Sequence, residues 1–185
     1  VYKSKNILGT MFIRIKRIKN QEYAYVVKSV WEKQTARQKV VKYLGKVYSL
    51  QKTNPVSFDD FCQKYSIAIT TKTDFQSIIR YLMGWTVCQH GFTQDPFKEE
   101  KWLFNQKIIA DPTKLTISTK KRDLTLKINE GYMNAWTLKE LISIKLNKNT
   151  EEQRRAATML AKAFVNAGIA IPQAVFIDIF QKVYN

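Results

Sequence analysis

MFIRIKRIKNQEYAYVVKSVWEKQTARQKVVKYLGKV, from Met11 to Val47, is the stretch from which the rest of the chain is read. Phe12-Ile13-Arg14-Ile15-Lys16 alternates apolar and basic side chains, the period of a strand with one solvated face. Asn20-Gln21-Glu22 interrupts the pattern, and Tyr23 to Trp31 resumes it with Tyr, Val and Trp, which suit a pleated surface. Glu32 to Thr35 breaks it again, and Arg37 to Leu44 makes a third run closed by Gly45. Two short connections between three such runs predict an antiparallel meander. A sheet of this size buries one face and leaves the other to water or to a partner. The alternation slips at Arg17-Ile18, which predicts a bulge and leaves the outward face undetermined.

Charge is concentrated in the same region. Residues 1–52 hold 13 Lys and Arg against Glu22 and Glu32, a net of +11; residues 53–185 hold 18 against 13 acids, a net of +5. Like charges packed on a small sheet repel, and phosphate is the polyanion that most often offsets them. A β-ribbon also fits the major groove of a duplex. Arg14, Lys16, Arg17, Lys19, Lys28, Lys33, Arg37, Lys39 and Lys42 are therefore the expected phosphate contacts, and Gln38 has the amide to reach a base edge. Trp31, near a turn, either stacks on a base or sugar or fills the sheet's own core. Duplex DNA is the partner this favours. The same charge would serve an RNA- or ribosome-associated factor, a subunit gripping an acidic protein, or simply solubility.

The segment also resembles a known one. Tyr23 to Val47 is similar to the N-terminal segment of insertion-sequence transposases with a DDE catalytic core, where a Y-x-Y-L-V-x-S-x-R-x-x-g-K-x-R-Q-x-x-V-x-x-L-G pattern precedes that core. The aligned positions are Tyr23, Tyr25, Val26, Val27, Ser29, Thr35, Arg37, Gln38, Val41, Leu44 and Gly45. Trp31 departs from the usual basic residue, and Gln34-Thr35 stands in place of Gly-Lys. A similar opening occurs in uncharacterised archaeal proteins. The resemblance covers about a fifth of the chain. It implies a DNA-contacting role for the segment and not transposase activity, because no catalytic-core motif follows.

The remaining sequence predicts an α+β protein, with the small basic three-stranded sheet followed by a mixed α/β domain ending in a helical hairpin or bundle. At 185 residues and 45% apolar content the chain can bury a proper core. Gln51-Lys52-Thr53-Asn54-Pro55 is the linker candidate, dividing a nucleic-acid-binding segment, 1–52, from an α+β domain, 53–185. Ser57 and Thr73 read as helix starts, the first with Asp59 and Asp60 in its opening turn, a pairing that helix electrostatics explains more simply than a metal site. Ile67 to Thr71 reads as a short strand, and the second helix should end near Gly84. Trp85 to Phe92, Trp102 to Ile109, Leu115 to Thr119 and Leu124 to Ile128 have strand character, with Glu130-Gly131 closing the sheet. Lys120-Lys121-Arg122, between the last two, is either a groove-probing wing or a solvated turn.

Helices are expected over Thr137 to Leu146, from Thr150 to a C′ glycine at Gly168, and after Pro172 at N1, with Val183 on the last helix's buried face. The stripe Ala156, Met159, Leu160, Ala163, Phe164 and Ala167 would allow close packing, within the domain or across a homodimer.

Cys62 and Cys88 make no disulfide framework and suggest a reducing compartment, cytoplasmic and nucleoid-associated. With His90 they fall one ligand short of a structural zinc site, so the cysteines read as core residues and His90 as a surface or loop residue. No metal or cofactor is expected, nor a membrane span, since no run approaches about eighteen apolar residues. HExxH, Walker, GxSxG and GxGxxG motifs are absent, and the expected role is non-enzymatic.

Overall fold

A computed structural model describes residues 11–32, 35–144 and 150–184. The chain opens with β1 (Met11–Ile18), β2 (Gln21–Glu32) and β3 (Thr35–Ser49). Lys19 and Asn20 turn β1 into β2 at φ 46° and 61°, the paired left-handed conformation of a tight hairpin. Helices α1 (Phe58–Lys64) and α2 (Phe75–Gln89) follow, then β4 (Thr93–Asp95), β5 (Lys98–Phe104), β6 (Ile108–Asp111), β7 (Thr116–Ser118), β8 (Leu124–Ile128) and β9 (Gly131–Met133). Helices α3 (Ala135–Ile142), α4 (Thr150–Ala167) and α5 (Gln173–Tyr184) complete the described chain. The protein is thus α+β, with five helices and nine strands among the described residues.

The expected meander is present but does not stand alone. Sheet A runs β1-β2-β3-β8-β9, and sheet B runs β4-β5-β6-β7. Residues Lys46–Ser49 of β3 pair in parallel with Leu124–Lys127 of β8, so the hydrogen bonding crosses the division expected at 52/53. Gly45 does not end the third strand; it lets β3 pass close to β8. Its φ is +98°, and a Cβ there would run into the carbonyl of Asp123.

Two apolar clusters result. The larger joins α1 and α2 to both sheets and the C-terminal helices, around Phe61, Leu82, Leu126, Leu138 and Phe164. The smaller is Ala24, Val26, Leu44 and Val47, flanked by Ile13, Ile15, Tyr132 and Trp136. The N-terminal strands therefore complete their own core only with two aromatic residues from the other end of the chain.

Several expectations are corrected. Trp85 to Gln89 is helix, not strand: α2 continues through Gly84, and every residue from Leu82 to Gln89 is buried. A helix buried all round shows no amphipathic period, so its apolar run looks like a core strand. Ile67 to Thr71 is a turn region, tied by the Thr70 N–H donating to the Thr73 hydroxyl at 2.9 Å. Trp102 to Ile109 is two strands, broken where Asn105 and Gln106 take φ 49° and 57°. A short strand, β9, follows Glu130. α3 starts at Asn134, whose side chain caps Trp136 and Thr137 while the Thr137 hydroxyl accepts from the Asn134 N–H. Pro172 is the residue before α5, its carbonyl accepting from the Phe176 N–H at 3.0 Å, rather than the first helical position. Met159 leaves the apolar stripe and is 58% exposed.

Ser57 caps α1 as the sequence indicates, accepting from the Asp60 N–H, whereas α2 is capped by Asp74, which accepts from the Ser77 N–H, one residue after the expected start at Thr73. Gly168 takes φ +67° and lies against Gly131 and Ile128, closing α4. Leu146 lies outside the described residues, as do the side chains of Thr150, Glu151, Glu152 and Val183.

Candidate nucleic-acid interface

The register assigns the basic side chains of the paired strand residues to a side. Arg14 pairs with Tyr25 and Lys16 with Tyr23, and Tyr25 pairs onward with Tyr43. These residues share one face. Lys28 opposes Lys39, Val30 opposes Arg37 and Val26 opposes Lys42, which puts those four cations on the other face, together with Arg17 opposite Glu22. The expected single basic face is therefore two faces. The shift at Ala24/Tyr25 moves Tyr43 onto the face of Tyr25 and Lys42 onto the other, and the shift at Val26/Val27 restores the phase for Lys39 and Arg37. The β1–β2 register has no break at Arg17-Ile18, where the sequence predicts a slip.

Among the described residues β1 pairs with β2 as far as Lys28, and beyond it Ser29–Glu32 pairs with Thr35–Gln38 in the β2–β3 ribbon. All of Thr35–Tyr43 is exposed, and Trp31 near the end of the ribbon is 70% exposed, which removes it from any core. One ribbon face carries Lys28, Arg37 and Lys39; the other carries Ser29, Trp31 and Gln38. Gln38 is held by Arg14, whose guanidinium donates to its side-chain oxygen at 2.6 Å. Lys19 sits in the β1–β2 turn, and the Arg17 guanidinium donates to Asn20 at 3.5 Å. Lys33 lies outside the described residues.

On the opposite face three tyrosines gather. The ring centroids of Tyr25 and Tyr43 are 5.3 Å apart and those of Tyr23 and Tyr43 are 6.4 Å apart. Lys16 Nζ stands 5.3 Å from the centre of the Tyr25 ring. Desolvation, then the neighbouring Tyr25 and Tyr23, raises the pKa of the Tyr43 phenol, and the charge of Arg122 opposes the rise. Arg122, in the Lys120-Lys121-Arg122 turn, is thus near enough to Tyr43 for its charge to act on the phenol. The turn joins the two sheets through the Ser118–Asp123 bridge, and the Thr119 N–H donates to the Arg122 carbonyl at 2.8 Å. Nothing in the sequence linked that turn to the tyrosines, because the link depends on β3 pairing with β8.

His90 is a correction. It is 2% exposed, its ring Nδ1 lies 2.7 Å from the Thr86 carbonyl, and burial lowers its pKa. Cys88 is buried and Cys62 half-buried, with burial raising the pKa of both thiols. Among the described residues no group of three His, Cys, Asp or Glu side chains is placed to hold a metal ion, and no helix is long and apolar enough to cross a membrane. No protein-family model, curated protein or solved structure matches the chain.

Proposed function

We propose that this is a non-enzymatic DNA-binding protein that contacts duplex DNA through its N-terminal strands. The observation that carries the reading is the β2–β3 hairpin, exposed from Thr35 to Tyr43, with Lys28, Arg37 and Lys39 on one face. A ribbon of this width enters a major groove, where cations meet phosphate and an amide such as that of Gln38 meets a base edge. A role in regulation, in nucleoid organisation or with a mobile element would each use such contacts. A homodimer through the C-terminal helices would use the exposed Met159, Val165 and Ile177, since Ala156, Leu160, Phe164 and Ala167 are already buried.

RNA is the second reading, favoured by the tyrosine array beside Arg14, Lys16 and Arg122, because aromatic rings on a sheet take unpaired bases by stacking. An acidic protein partner is the third. Fluorescence anisotropy with a short duplex, a structured RNA and heparin separates them. Duplex binding is expected to be tightest, with a log–log salt slope of about −4 to −7 for roughly four to eight phosphate contacts. Absence of duplex binding at about 50 mM salt overturns the DNA reading.

A further inference from the structure

A cleft of about 510 Å³ opens between α1, α2 and sheet B, and no residue of β1–β3 lines it. Its aromatic wall is Phe61, Tyr65 and Trp102, with the Tyr65 and Trp102 ring centroids 5.1 Å apart and Phe61 and Trp102 5.6 Å apart. Gly84 makes the room for this wall, since a Cβ there would stand 3.2 Å from Trp102 Nε1. Arg80, one turn earlier on α2, lines the same cleft, and its Nε is buried with no hydrogen-bond partner. Glu99 and Glu100 of β5 line it too.

A guanidinium N–H shut away from water without an acceptor is costly, and such groups are few in folded proteins. Arg80 lines a cleft whose volume is that of small-molecule sites, roughly 300–1,000 Å³. The charges narrow the occupant. One cation and two carboxylates repel a phosphate and suit a molecule with one anionic and one cationic group, while the rings suit a planar apolar body. We propose that this cleft binds an aromatic zwitterion, of which a free aromatic α-amino acid is the simplest example. The carboxylate of the ligand accepts from Arg80, its ammonium donates to Glu99 or Glu100, and its ring lies against Tyr65 and Trp102.

Isothermal titration of the full chain with L-tryptophan, tryptamine and indole-3-propionate tests this, because the analogues lack the carboxylate and the ammonium respectively. L-Tryptophan should bind, and each analogue should bind about tenfold or more weakly. Arg80→Gln should weaken L-tryptophan by a similar factor and leave tryptamine unchanged. Glu99→Gln with Glu100→Gln should weaken L-tryptophan and leave indole-3-propionate unchanged. Thermal melts matching the parent chain would show the variants folded; if they do not fold, the three-ligand series on the parent chain decides. No binding of any probe at millimolar concentration overturns the proposal, as does indole-3-propionate binding as tightly as L-tryptophan.

Discussion

Arg14 on β1 donates to Gln38 on β3 at 2.6 Å, spanning the β2 strand that lies between them. The bond ties the outer part of the ribbon back to the three-stranded part of the sheet. Strand alternation puts Gln38 on the face away from Arg37 and Lys39, so phosphate contacts and a base-edge contact would come from opposite faces of one ribbon.

Charge reversal at Arg37 and Lys39 is expected to weaken duplex binding far more than reversal at Lys120 and Lys121. Both pairs are exposed, so neither change should alter the fold. Removing two phosphate contacts should reduce the salt slope by about 2. Anisotropy titrations at several salt concentrations measure it. An equal or opposite ranking would move the interface to the tyrosine face beside Arg122.

Gly45→Ala is expected to destabilise the protein by about 1–3 kcal/mol, because the residue sits at φ +98° and the added methyl meets the Asp123 carbonyl. Urea denaturation reads this directly. A change below about 0.5 kcal/mol, the scale of an ordinary surface substitution, would mean that β3 and β8 separate there at little cost.

The fragment 53–185 is expected to fold alone, and 1–52 to be marginal. All buried members of the larger cluster come from Phe58 onward, whereas the smaller cluster draws on Tyr132 and Trp136. The small piece also holds its +11 charge without a disulfide. Circular-dichroism melts of the two fragments, with and without salt and a short duplex, test both halves. An unfolded 53–185 would mean that the β3–β8 pairing is needed to hold the larger core.

Lowering the pH through the unfolded histidine range, below about 6.5, is expected to destabilise the protein through His90. Burial lowers the folded pKa, so the unfolded chain takes up the proton first. The stability contribution is present above the unfolded value and is lost as pH falls toward the folded one. His90→Gln should flatten the stability difference between pH 7 and pH 5. An unchanged pH profile in that variant would assign the acid sensitivity to other groups.

Local patterns were legible wherever one face of an element is wet. Phe12 to Lys16 announced β1 by its alternation, and Ser57 and Gly168 marked helix ends through side-chain and backbone chemistry that acts over a few residues, while Thr73 stood one residue before the cap of α2, Asp74. The concentration of charge in the first 52 residues was likewise a property of the sequence alone. Legibility failed where burial is complete: Leu82 to Gln89 has no wet side, so it carries no period to distinguish helix from strand. What the cations face, and what lies beside them, only the tertiary structure decided. The first register shift between β2 and β3 put Tyr43 on the face of Tyr25 and Lys42 on the other, since a one-residue slip moves a side chain across the sheet; the second shift restores the phase, so Arg37 and Lys39 lie on the face away from Arg14 and Lys16. The parallel pairing of β3 with β8 brought Arg122 to Tyr43 across a sequence separation that no local rule spans.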